Sequence, residues 1–121
     1  MQSLDENIDL YLKSDLSQLK ELDAIYLIDL KLKKYKSRIF IDNHKEFQSS
    51  FISTMNRAVS VFTDAKIEQL IIEMDTHNII FRKLSSNSSR VLMILSRKSF
   101  SIGKLIIVTK AALQKVENDG R

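Results

Sequence analysis

The order and spacing of apolar residues predict an α/β fold: a three-layer α/β/α sandwich on one five-stranded, mainly antiparallel sheet, with elements in the order α-β-β-α-β-β-β-α. Three observations carry this. Apolar residues recur at helical spacing in three segments and at strand-like density in five, within 121 residues that contain no linker, repeat or low-complexity block. The links between consecutive strand-like runs are too short for a crossover, which makes those neighbours antiparallel. Several runs are apolar at consecutive positions, as in Ile25-Tyr26-Leu27-Ile28 and Val91-Leu92-Met93-Ile94-Leu95. A sheet with one wet face would alternate apolar and polar, so both faces of this one are covered.

The elements follow in order. Ser3-Leu4-Asp5-Glu6 has the form of a capping box and starts a helix, with Leu4, Ile8, Tyr11, Leu12, Leu16, Leu19 and Leu22 on one stripe. Asp15 interrupts that stripe, so one helix or two short pieces extend to about residue 21. From Ala24 the period changes. Ile25 to Leu30 is apolar at nearly every position, Lys31-Leu32-Lys33 alternates into Lys34-Tyr35, and Arg38-Ile39-Phe40-Ile41 follows, giving two strands joined by a tight basic turn. Asn43 and Glu46 mark the start of a second helix, in which Phe47, Phe51, Met55, Ala58 and Phe62 step at helical intervals. Three further strands, Glu68–Met74, Ile79–Leu84 and Arg90–Ser96, are separated by Asp75-Thr76-His77-Asn78 and by Ser85-Ser86-Asn87-Ser88-Ser89. Ser101 caps a last helix, with Phe100 and Leu105 at the positions of a hydrophobic staple. Its stripe is Ile102, Leu105, Ile106, Thr109, Ala112 or Leu113, and Val116, fraying from Glu117.

Composition narrows the chemistry. The length fits a single domain over residues 1–121. With no Cys, there is no disulfide framework, thiol nucleophile or Cys-ligated metal. No apolar run approaches the ~20 residues that span a bilayer, and the acidic start lacks the order of a signal peptide, so a cytoplasmic chain is expected. Glycine occurs only at Gly103 and Gly120, which excludes the Gly-rich phosphate loops. His44 and His77 stand outside any metal-ligand spacing and read as surface residues. Glu68 falls on the opposite strand face from Glu73 and Asp75, and a carboxylate pair for acid–base work, which would lack a supporting nucleophile or base, is not expected. Catalysis and a cofactor are not expected.

Two features suggest partners. On the second helix Ser49, Ser53, Asn56 and Ser60 form a small polar stripe beside an apolar arc covering about half the wheel, and Arg57 is the only charge between Glu46 and Asp64. Solvent faces ordinarily use Lys and Glu, whereas small polar residues permit another helix to approach closely. This predicts a two-fold contact with a second copy, the alternative being a Ser-rich solvent face. The chain carries a formal charge of +4, concentrated in Lys31, Lys33, Lys34, Lys36 and Arg38. These residues suit nucleic acid or an anionic membrane, or protect a sheet edge from aggregation.

The element order resembles the Roadblock (dynein light chain) superfamily over about residues 3–116. The likeness is greatest from Leu70 to Leu105, where Ser101-Ile102-Gly103-Lys104-Leu105 looks like the family's Asn-Leu-Gly-hydrophobic helix start. Gly103 would then permit close helix–sheet packing. The chain departs from the family in its first hairpin, with Lys33-Lys34-Tyr35 where a Gly-containing turn is common, and in a longer first helix. The resemblance implies the profilin-like roadblock topology. It also implies a homodimer, or a heterodimer with another roadblock-like chain, in which second helices and third strands pair across the two-fold. That assigns Ser49, Ser53, Asn56, Ser60, Leu70, Ile72 and Met74 to a dimer interface. Family members are non-enzymatic platforms that bind small Ras-like GTPases or scaffold motor and membrane-associated complexes. On that basis a GTPase partner is expected, its hydrolysis or localisation modulated, with Arg57, Ile107, Lys33 and Lys34 as contact candidates. Arg57 reads equally as a solvated residue and Ile107 as a contact to the first helix. A scaffold subunit without a GTPase is the alternative, and a nucleic-acid module is disfavoured.

Overall fold

A computed structural model describes residues 3–12, 20–40, 53–62, 66–84 and 89–119. Helix α1 (Leu4–Leu12) precedes β1 (Leu22–Asp29) and β2 (Lys34–Ile39). Helix α2, described over 53–62, is followed by β3 (Gln69–Glu73), β4 (His77–Lys83), β5 (Arg90–Arg97) and α3 (Ile102–Asp119). The strands form one sheet in the order β2-β1-β5-β4-β3, and every neighbouring pair is antiparallel. The α/β fold class read from the sequence is thus observed. Residues 13–19, to which the first helix is expected to extend, lie outside the described residues, as does the start of the second helix.

The capping signals act as their chemistry predicts. The Glu6 amide donates to Ser3 Oγ at 3.1 Å and the Lys104 amide to Ser101 Oγ at 3.3 Å, satisfying amides that a helix start leaves unpaired. Phe100 and Leu105 are both buried in one core cluster, completing the staple. The buried Thr109 hydroxyl donates to the Leu105 carbonyl at 2.7 Å, so the polar member of the α3 stripe is satisfied within its own helix.

The sheet has a core on each face. On one side Ile25, Leu27, Ile80, Leu92 and Ile94 pack against Ile8 and Tyr11 of α1 and Leu105, Leu113 and Val116 of α3. On the other, Ala24, Tyr26, Ile28, Ile79, Phe81, Val91, Met93 and Leu95 pack under Met55, Ala58 and Phe62 of α2. Each large aliphatic or aromatic side chain so buried contributes about 1.5–3 kcal/mol.

Where β1 meets β5 the register shifts between Leu22 and Ala24, leaving Asp23 in a bulge. The extra residue resets the alternation. Leu22 therefore joins Ile25 and Leu27 beneath α1 and α3, and belongs to a strand rather than to the helical stripe its spacing suggests. The Asp23 carboxylate, 2% exposed, accepts from Arg97 Nε at 3.2 Å and pairs with His77 Nε2 at 2.7 Å. One side chain thus ties β1 to β5 and β4. His77 and Asn78 begin β4 instead of lying in a turn, and His77 is largely buried with Thr76 Oγ1 2.7 Å from its Nδ1. Its expectation as a surface residue fails because the bulged carboxylate supplies a buried partner.

A second polar group seats α1. Arg90 reaches Asn7 Oδ1 at 3.0 Å and Asp29 Oδ2 at 3.7 Å, all three side chains being buried. Lys36 and Arg38 of β2 pair with Asp5 of α1, and Arg38 also with Asp9 at 2.9 Å. Gly103 departs from its expected role: it is exposed, and a Cβ built there meets nothing within 4 Å. Close packing does not require glycine at this position.

Two outcomes follow for stability. Gly103→Ala should stabilise the domain by about 0.5 kcal/mol, the lower end for a first-turn helical site, read as a rise in thermal midpoint. Asp23→Asn should cost about 2 kcal/mol in urea denaturation, because Arg97 and His77 lose a buried carboxylate partner, while Arg97→Gln costs under ~1 kcal/mol because its head is half in water.

Candidate functional site

Among the described residues a partly apolar recess of about 430 Å³ lies between α2 and the β1–β2 hairpin. Ile28, Leu30, Tyr35, Met55 and Val59 supply apolar lining, and Asp29, Lys33, Lys34, Asn56 and Ser60 supply polar groups. Tyr26 beneath it packs 5.7 Å from Tyr35. Burial, and secondarily Tyr35, pushes the Tyr26 phenol up to about 12, so it stays neutral at physiological pH.

The hairpin is held firmly at its turn. Asp29 pairs with Lys34 across the strands, leaving Leu30–Lys33 as a four-residue loop. Lys31-Leu32-Lys33 is therefore turn and not alternating strand. Asp29 Oδ1 accepts from the Leu32 amide at 2.9 Å, a side chain standing in for a backbone turn acceptor. The Leu30 amide donates to the Ser89 carbonyl at 2.7 Å, anchoring the loop to the start of β5. Lys33 adopts φ 55°, the left-handed conformation that the turn requires and that glycine would adopt without steric cost.

The structure distributes the expected site residues over several surfaces. Lys33 and Lys34 meet Asn56 and Ser60 at the recess. Ser53, Asn56, Arg57 and Ser60 are exposed on α2, and Ser49 lies outside the described residues. At about 100° per residue, Arg57 and the exposed Val61 fall on the flank of α2 away from the recess. Leu70, Ile72 and Met74 are half-buried on the α2 side, at or beside β3, on the sheet edge opposite β2. Ile107, 69% exposed, stands on α3 across the sheet from Arg57, and is a surface residue rather than a contact to α1. Within the basic cluster, Lys36 and Arg38 are paired with α1, whereas Lys31, Lys33 and Lys34 at the turn have no ion pair among the described residues. No sequence signal marks this division, which depends on α1 lying beside β2.

Catalytic geometry is sparse. A second recess of about 370 Å³ is lined by Glu68, Arg82, Lys83, Lys110, Leu113, Gln114 and Glu117, a mixed-charge set with no Ser, Thr or His among the described residues. Glu73 pairs instead with Lys98 at 3.8 Å, at the far end of β3. Thr76, His77 and Asp23 have the residue types of a hydroxyl–imidazole–carboxylate relay, but none of them lines either recess, and Arg97 also engages Asp23. Among the described residues no cluster of His or acidic side chains could hold a metal, and no helix is long and apolar enough to cross a membrane.

No family model matches the chain, and no curated protein matches it in sequence. Solved structures do match it in shape. MglC from Myxococcus xanthus superposes with a TM-score of 0.69 at 11% identity, covering 93% of this chain and 98% of its own. The gliding protein MglB from Thermus thermophilus gives 0.64 at 13% identity, covering 96% and 90%. A Roadblock/LC7 domain from Streptomyces avermitilis gives 0.55 at 12% identity, covering 97% of each chain. Near-complete coverage at such low identity identifies shared architecture, and the chain has a roadblock-like fold.

Proposed function

We propose that the chain is a non-enzymatic cytoplasmic adaptor that dimerises through β3 and α2 and binds a small Ras-like GTPase, modulating its hydrolysis or localisation. The state of β3 is the observation that carries the dimer. It pairs only with β4 among the described residues, in unbroken register, and its centre, Leu70-Ile71-Ile72, contains no charge. A flat apolar edge of this kind is an aggregation site unless it is paired or covered. The Met74 amide donates to the His77 carbonyl and the Lys83 amide to the Glu68 carbonyl. With a period of two, Leu70 and Ile72 direct their amides to β4, while Gln69, Ile71 and Glu73 direct theirs outward. The same strand of a second copy fits that unpaired ladder as an isologous partner.

The exposed face of α2 supports the same reading. Ser53, Asn56 and Ser60 are small enough for a helix of the second copy to approach, and Arg57 with Val61 occupies the flank opposite the recess. The GTPase assignment rests on the roadblock resemblance. Arg57, on the flank away from the recess, and the recess beside Lys33 and Lys34 are two separate candidate contacts on the α2 layer. Ile107 lies on the other layer and belongs to a separate contact.

Sedimentation at micromolar concentration tests the dimer. The wild type should run as a dimer, and Ile71→Pro, which removes an outward amide without breaking the β4 ladder, should weaken association at least ~10-fold. A wild-type monomer throughout would sink the reading. For the partner, affinity capture with Ras-like GTPases loaded with GDP or a GTP analogue should give nucleotide-dependent binding, reduced about 10-fold or more by Arg57→Glu. Constitutive capture of a partner regardless of nucleotide would favour the scaffold alternative instead.

A further inference from the structure

We infer that the β1–β2 turn is a membrane-contact tip, in which Leu32 enters the interfacial region of an anionic bilayer while Lys31, Lys33 and Lys34 lie against its headgroups. Leu32 is 60% exposed at the apex of the loop, flanked on both sides by lysine. Nothing in the local fold requires an apolar residue there. The turn uses its backbone amide, through Asp29, and leaves its side chain outside both cores. Tyr35, 41% exposed, stands at the base of the tip with its ring against Tyr26, and an amphipathic ring of this kind suits the boundary between headgroup and acyl chain.

The charge pattern agrees. The ion pairs between α1 and β2 account for Lys36 and Arg38, leaving the three lysines nearest Leu32 unmatched among the described residues. A lysine close to an anionic surface strengthens adsorption about fivefold. Lys33 adds a further indication: a lysine occupies a left-handed site where glycine would remove backbone strain. Such strain is tolerated where the side chain serves a purpose.

An anionic membrane fits these residues better than nucleic acid does. Phosphate-backbone binding would use the same lysines, but an aliphatic apex contributes nothing to charge neutralisation and stacks poorly on a base. The turn is fixed by two hydrogen bonds, from the Leu32 amide to Asp29 Oδ1 and from the Leu30 amide to the Ser89 carbonyl, neither of which uses the Leu32 side chain. Each copy carries a complete tip, so the inference does not need dimerisation; Lys33 and Lys34 also border the recess proposed for a partner, and vesicle co-sedimentation uses the chain without one.

Vesicle co-sedimentation of the full chain tests it, using phosphatidylcholine alone and phosphatidylcholine with about 30 mol % phosphatidylserine. The wild type should bind only the anionic vesicles. Lys31→Gln with Lys34→Gln should weaken binding about 25-fold, and Leu32→Ser about fivefold, both with unchanged circular dichroism. Because the chain has no Trp, Leu32→Trp supplies a single fluorophore whose emission should shift to the blue on anionic vesicles. Equal recovery on both vesicles, or an unshifted emission, would overturn the proposal. Anionic binding indifferent to Leu32→Ser would also overturn it, as would preferential binding of a single-stranded oligonucleotide over vesicles.

Discussion

Two central strands without a solvent face dictate the remainder of the molecule. Every residue of β1 is buried, and β5 is buried up to its final Arg97, with apolar side chains pointing both ways. Such strands are stable only between two layers, so α2 closes one face and α1 with α3 the other. The bulge at Asp23 belongs to the same constraint. It turns Leu22 toward the α1–α3 layer and directs a carboxylate to the end of the sheet, where Arg97 and His77 satisfy it. Asn7, Asp29 and Arg90 form a second such matched set of buried polar side chains.

Because the centre of the sheet is occupied on both faces, interaction surfaces are left to its margins. The two edges differ in kind. Outer strand β2 carries Lys34, Lys36 and Arg38 and lies beside the acid-bearing α1, whereas β3 has a charge-free centre. The recess beside α2 and the lysine-rich turn lie near the β2 margin, away from β3. The two borders of the sheet thus differ in charge and in what lies beside them.

Much of this architecture is legible in the sequence because it follows from local patterns. Ser3 and Ser101 announce helix starts, and the unbroken apolar run from Val91 to Leu95 announces a strand covered on both faces. What is not legible depends on residues distant along the chain. The adjacency of β1 and β5, the bulge at Asp23 and the burial of His77 all arise from pairing between opposite ends of the domain. A lone histidine between Thr76 and Asn78 gives no hint of a carboxylate 54 positions away. Gly103 shows the converse error, in which a residue type that often signals close approach occupies open space. The candidate surfaces are partly visible. Lys33, Lys34, Asn56 and Ser60 stand out for separate reasons and meet at one recess, while Arg57 and Ile107 are separated by the sheet.

The inequality of the two edges also sets how far assembly can proceed. A sheet that offered matching edges on both sides would add copies without limit, as fibrils do. Here the two edges are not equivalent: β2 lies beside α1, whose Asp5 and Asp9 pair with Lys36 and Arg38, so in the proposed dimer a copy joined through β3 would present no second edge like β3 to a third. On the proposed reading the chain would carry a single valence for strand pairing, and the helix-flanked margin at β2 would end the assembly at two copies.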